Sequence, residues 1–263
     1  MRAYCHFDAL RLFAPSYLTG AGEKGVPYVT AFSNKVSKIN TVKGVVDSVM
    51  LDLQEARNLL REYDPILAEG YKVGYEFATD SSTEVQGNDM FIQNRRHRMN
   101  YYAVTALMAR VSLYKGDKEN ALKYAEEVIN SQKFPWTKKV DFVNADETLR
   151  DRILYKELIF GLAGPGFLRD RLNDIYRRGE GQSLYISPAE SRTVYETGGA
   201  GGDDNRYKQW FTETAGSAGS FMQVDKYKRQ DDNLHPLMVP CIRLSEMYYI
   251  AAEATFDKDA AKA

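Results

Sequence analysis

Cysteine is close to absent. The chain of 263 residues has two, Cys5 and Cys241, too few and too far apart for a disulfide framework or a thiolate metal site. Each is expected as a small buried hydrophobe. Histidine is equally sparse: His6, His97 and His235 have no second ligand at zinc-like spacing, so no metal is expected. No run approaches the roughly 18 apolar residues of a spanning helix. The opening MRAYCHFDALRLFAP carries charge at helical spacing where a signal peptide would be apolar, so Cys5 is not read as a lipidation site. Neither sign of charge dominates: 35 basic residues face 36 acidic ones, and no net field steers the chain to nucleic acid. A GxSxG elbow and a Cys–His pair are also missing. The glycine-rich stretch 198–204 (GGAGGDD) lacks the GKS or GKT ending of a phosphate-binding loop. No cofactor is implied.

Helical period and aromatic side chains are abundant. The stretch from Arg98 to Asn130 reads as two amphipathic helices around a Lys115-Gly116-Asp117 turn. Ala103, Ala106, Leu107, Arg110, Val111 and Tyr114 form one stripe, and Ala121, Leu122, Ala125, Val128 and Ile129 the other. Gly116 fits the left-handed residue that ends the first helix, and Asp117 fits the cap of the second. A hairpin of this length with alanines on its facing sides is tetratricopeptide-like, and such a unit needs stacked neighbours to cover it.

The neighbours are legible before and after it. Residues 2–14 predict a helix on Ala3, Phe7, Leu10 and Phe13, stopped by Pro15. A loop through Gly25-Val26-Pro27 is expected to be extended. A helix over about 41–63 then buries Val42, Val45, Val46, Val49, Leu53, Ala56 and Leu60, leaving Asp52, Glu55 and Arg57 to water. Residues 64–97 are polar, with Phe77 and Phe91 as anchors, and Trp136 after Pro135 offers a stacking face to a sugar but is more often packed in such a position. Glu157-Leu158-Ile159-Phe160 fits either a strand or a helix end. A last helix over 240–255 presents Leu244, Met247, Tyr248, Ala251 and Ala254, and its hairpin partner would start near Lys258. The pattern is cut into at both ends, so a single domain over 1–263, truncated at each terminus, is expected.

Three paired carboxylates are the only acid–base candidates. Glu126-Glu127 reads as a solvated helix face. Asp203-Asp204 and Asp231-Asp232 have the composition for glycoside hydrolysis, but adjacent acids in polar loops more often form turns and ion pairs.

In order and spacing, these segments resemble the SusD/RagB-like glycan-binding lipoproteins of bacterial outer membranes. The residues that carry the resemblance are RAYCHFDALRLFAPSY (2–17) leading to Gly25-Val26-Pro27, DLQEARNLL (52–60), the hairpin of 98–130, and PCIRLSEMYYIAAEA (240–254). Between them, Asp204, Arg206, Lys208, Trp210 and Phe211 fit Asp-x-Arg-x-x-x-Trp-Phe, followed by Lys226-Tyr227. The resemblance implies an all-α fold, tetratricopeptide-like helical hairpins in a SusD-like superhelix with long irregular loop insertions. It further implies a surface-exposed outer-membrane lipoprotein that passes oligosaccharide to a SusC-like TonB-dependent transporter and is not an enzyme.

Rigid helical frames leave their loops free to carry recognition. Sugars are held by aromatic faces against C–H surfaces, with amides, Arg or Asp on the hydroxyls. The loop region 180–225 offers Tyr185, Arg192, Tyr195, Asn205 and Trp210 as such groups. Trp210, inside the motif, also has a structural reading. The expected ligand is an oligosaccharide or polysaccharide. Two alternatives stay open: a tetratricopeptide-type adaptor that binds protein in a helical groove, and a carbohydrate-active hydrolase built on Asp203 or Asp204.

Overall fold

The computed structural model describes residues 1–76, 81–87, 89–144, 146–177, 185–217 and 219–256. Helices dominate. They are α1 (Arg2–Phe13), α2 (Tyr17–Gly20), α3 (Val42–Tyr63), α4 (Tyr101–Tyr114), α5 (Lys118–Asn130), α6 (Lys139–Phe142), α7 (Gly166–Arg177), α8 (Pro188–Val194), α9 (Asn205–Trp210) and α10 (Leu244–Phe256). Short strands run between them: β1 (Lys24–Pro27), β2 (Ile39–Thr41), β3 (Leu158–Ala163), β4 (Tyr185–Ile186), β5 (Phe211–Gly216), β6 (Gly219–Val224) and β7 (Met238–Arg243). The strands form small sheets, β1 with β2, β3 with β7, and β4-β6-β5. The all-α architecture is thus present, with strands confined to loops and connections. Packing divides the chain into two compact units. The first holds Met1–Pro135, Leu158–Gly161 and the described residues from Cys241 onward. The second holds Trp136–Glu157 and Leu162–Pro240.

The first unit is the helical frame. Thr41 caps α3, its hydroxyl accepting from Gly44 N at 3.1 Å, and Val42, Val45, Val46, Val49 and Leu53 are buried in the expected register. Asn100 caps α4 by accepting from Ala103 N at 2.9 Å, and Asp117 caps α5 through Asn120 N at 3.2 Å. Gly116 takes φ +82° between them, the left-handed turn that suits glycine. Helix α4 departs from the single-stripe expectation, since Tyr101 through Ala109, Val111 and Ser112 are all buried. A helix apolar on every side belongs inside; α4 packs against α3, α5 and α10, and α1 closes on α3. Alanines 103, 106, 109, 121 and 125, all fully buried, let these backbones come close.

Several expectations need correction. Phe13 and Phe91 are exposed; Phe91 instead lies under the Arg98 guanidinium, 5.4 Å from its ring centre. Phe77 and Lys258 lie outside the described residues. Cys5 is exposed and Cys241 only partly covered. Arg57 turns inward, donating to Glu127 at 2.7 Å and to Thr105 at 3.2 Å. Residues 240–243 are the end of β7 rather than helix, because the helical period begins only at Leu244. On α10 the inward face uses Ile250, whereas Tyr248 is exposed. The ambiguous segment at 157–160 resolves as the last residue of a 3-10 turn, Glu157, followed by the start of β3 at Leu158.

Two buried ion pairs cross-link the described residues of 64–100. Arg95 pairs with buried Asp64, Nε to Oδ1 at 2.9 Å, and Asp64 also accepts from Tyr101 N at 2.8 Å. Arg96 pairs with buried Glu84, Nε to Oε1 at 2.8 Å.

The second unit is built on the antiparallel sheet β4-β6-β5. Phe211↔Val224 through Gly216↔Gly219 set the β5–β6 register, and Tyr185↔Gln223 sets that of β4. Helices α7 and α8 pack on β6. Ser187 and Glu190 cap α8 reciprocally. Trp136, expected to pack, is half exposed.

Candidate functional site

The motif around Trp210 explains itself locally. Asp204 caps α9, accepting from Arg206 N at 2.7 Å, and the same carboxylate binds the Arg206 guanidinium at 2.6 Å. That guanidinium holds the Asp204 carboxyl below the usual range. Asp203 is lowered likewise by Lys208, bonded at 2.7 Å, and then by the field of Lys139. After one and a half turns the chain becomes β5 at Phe211, and Trp210 O accepts from Asp225 N at 2.7 Å. The indole is thereby fixed against the short helix α6, edge-on to Phe142 at 5.7 Å between ring centres. One indole face carries the Lys226 ammonium, 4.8 Å from its centre.

A cleft of about 150 Å³ opens at this corner, lined by Thr137, Lys138, Lys139, Phe142, Leu154, Glu157, Asn205, Arg206 and Trp210. Pockets that enclose whole drug-sized ligands run to roughly 300–1,000 Å³, so this one fits a single ring or a chain end. Two of its lining side chains have polar atoms that are buried without a protein partner: Trp210 Nε1 and Thr137 Oγ1. A buried donor left unpaired costs about 1–3 kcal/mol. Both side chains line the same cleft, which makes it the candidate site. Glu157, buried on the floor, accepts from Thr137 N at 3.0 Å.

The sequence candidates divide. Asn205 and Trp210 share the cleft. Tyr195 closes α8 beside it in the fold of α9, its ring against Tyr207 at 5.4 Å and Phe211 at 5.5 Å, with Arg206 5.9 Å from its centre. Burial raises the Tyr195 hydroxyl above its usual pKa. Tyr185 lies on β4 against Phe221 at 5.2 Å with about half its surface open. Arg192 is exposed on α8. Neither Tyr185 nor Arg192 lines the cleft. The groups that sequence reasoning missed are Thr137, Lys138, Lys139 and Glu157. They lie about 50 to 70 residues before the motif, and only the Lys-Lys pair offers any linear signal.

The first unit has a larger, mainly apolar cleft of about 420 Å³ between α1 and α3, where Arg2 is paired with Asp52 at 2.6 Å and Glu55 stands exposed. Among the described residues no group of three or more His, Cys, Asp or Glu could hold a metal. Nor is any described helix long and apolar enough to cross a membrane.

No family model and no curated protein matches the chain. Solved structures do. A SusD superfamily protein from Bacteroides thetaiotaomicron VPI-5482 aligns with TM-score 0.66 and 21% identity over 99% of this chain and 53% of its own. A SusD-like carbohydrate binding protein from Bacteroides vulgatus ATCC 8482 gives 0.62 and 17% over 98% and 50%. Surface glycan-binding protein A from Bacteroides uniformis gives 0.52 and 17% over 89% and 50%. The chain spans about half the length of these structures. Its fold is the one these solved structures share, as the sequence resemblance implied.

Proposed function

We propose that this chain is a glycan-binding, non-enzymatic component of an outer-membrane uptake complex, taking oligosaccharide at the cell surface for a SusC-like TonB-dependent transporter. The observation that carries it is the cleft at Trp210, where an indole N–H and a threonine hydroxyl stand buried and unpartnered beside Asn205 and Arg206. The fold supports the reading, since its structural matches include proteins named for carbohydrate and surface glycan binding. Asn205 and Trp210 are the primary contacts. Tyr195 buttresses them, while Tyr185 and Arg192 offer a second, outer contact for a longer chain. The discontinuous first unit, entered three times by the chain, supports treating both units as one functional domain.

Hydrolysis is the less favoured chemistry. A general acid needs a carboxyl raised toward neutrality, whereas Asp203 and Asp204 are both held low by bonded cations, and Asp231 is exposed and paired with Arg169. Calorimetry against a panel of oligosaccharides tests the reading. Trp210→Ala and Asn205→Ala are each expected to weaken a bound glycan by tenfold or more, and Tyr185→Ala by less. A glycan that binds all three variants like the parent would remove this site; a glycan cut by the parent would remove the non-enzymatic role.

A further inference from the structure

We propose that the cleft at Trp210 selects an anionic glycan, one whose sugars carry carboxylate or sulfate groups that meet Lys138 and Lys139. The inference rests on the glycan reading above and names the substrate class for that same cleft.

The argument is one of donor and acceptor balance. Lys138, Lys139, Arg206 and Trp210 line the cleft, and ammonium, guanidinium and indole groups donate hydrogen bonds but accept none. Against these four stand one acceptor-only group, Glu157, and two that do both, Thr137 and Asn205. Glu157 is also committed, accepting from Thr137 N. A sugar hydroxyl both donates and accepts, so a neutral sugar matches a balanced wall. A carboxylate or sulfate only accepts, and it matches this one.

The charges tell the same story. Arg206 is bonded to Asp204, and Asp203 to Lys208. Among the described residues no carboxylate forms an ion pair with Lys138 or Lys139, although Lys139 is close enough to Asp203 to help lower that carboxyl. The neighbouring carboxylate of Asp141 lies 3.5 Å from Lys156 instead. The Lys226 ammonium against the indole adds a further cation behind Trp210. The cleft therefore presents positive charge in a chain whose charges otherwise balance.

The test uses the whole chain and matched ligands. Hexamers of α-1,4-galacturonate are compared by calorimetry with the same hexamers methyl-esterified to neutrality, and carrageenan hexamers, which carry sulfate and no carboxylate, distinguish sulfate from carboxylate. Expected is binding of at least one acidic hexamer, weakened by added salt and by roughly tenfold in Lys138→Gln/Lys139→Gln. Circular dichroism of that variant should match the parent. Equal binding of acidic and esterified hexamers, or binding of neutral glycans alone, overturns the inference and leaves the glycan reading standing. Acidic binding unchanged in the double variant overturns it as well. A parent that binds none of these ligands, nor any neutral oligosaccharide of the panel, removes both.

Discussion

Arg96 and Glu84 form an ion pair with both side chains 1% exposed. The guanidinium also donates to the carbonyls of Gly74 and Leu158, each at 3.3 Å, and the carboxylate accepts from Gly74 N at 3.2 Å. One pair thus gathers residues 74, 84 and 158, which lie far apart in the sequence. Removing one member strands a buried charge, a loss of roughly 3–5 kcal/mol. Arg96→Met is expected to lower stability by about that amount in urea unfolding, and Glu84→Leu in the same background to recover part of it. A single variant within 1 kcal/mol of the parent, by the same order-of-magnitude reasoning, would mean the pair is solvated.

His97 follows Arg96 and gives the chain a pH window. Burial, then the neighbouring Arg96 charge, push the imidazole down to about 4, against about 6.5 unfolded. The native state therefore keeps His97 neutral where the unfolded chain takes up a proton. Its contribution is complete above pH 6.5 and is lost as pH falls toward 4, at most about 3 kcal/mol in all. Carboxylates with a lowered pKa, such as Glu127, where burial is outweighed by Arg57 and Tyr101, begin to lose their own contribution only near the unfolded carboxylate pKa of about 4.3, at the lower edge of this window. Urea midpoints at pH 7, 6 and 5 should fall steadily in the parent and less steeply in His97→Gln. Parallel slopes would refute the assignment.

Gly116 isolates a backbone term. A Cβ there meets only the Leu18 side-chain tip, at 2.9 Å, and Leu18 is exposed and free to turn. The cost of Gly116→Ala is then that of holding φ +82° with a side chain, about 1–2 kcal/mol. Asp117→Ala, which removes the α5 cap, should cost about 1 kcal/mol. The two sites adjoin, so the double variant measures whether turn and cap form as one element.

What the sequence disclosed follows from how each element is stabilised. Helices α1, α3, α4 and α5 are specified by local period, caps and a left-handed glycine, all visible over short spans, and their burial agrees at Phe7, Val45, Val49, Ala106 and Val128. The inward turn of Arg57 and the pairing of Arg96 with Glu84 were hidden, because a basic residue at a helical polar position looks solvated until its distant partner is placed. The second unit was nearly illegible. Its β5–β6 hairpin alternates poorly, as β5 is largely exposed, so no buried face imposes a period. The candidate site was half visible: Asn205 and Trp210 lie in a linear motif, whereas Thr137 and Lys138 reach the same cleft only through tertiary folding.

The indole of Trp210 separates ligand binding from stability. Its ring packs on Phe142 and under Lys226, while its N–H is buried with no protein acceptor. Trp210→Phe keeps an aromatic ring and deletes the donor. Lost ring area destabilises, but removal of an unsatisfied donor offsets part of it, so stability should change by less than about 1 kcal/mol. Binding should behave differently. If a ligand oxygen accepts from Nε1 in the complex, the variant loses a charge-assisted bond of about 1.5–3 kcal/mol, or ten- to a hundredfold in Kd. Urea unfolding and calorimetry on the same preparation give both numbers. Stability lost while affinity holds would show that the indole serves packing alone, and the cleft would have to recognise its ligand through Asn205 and the lysines without it.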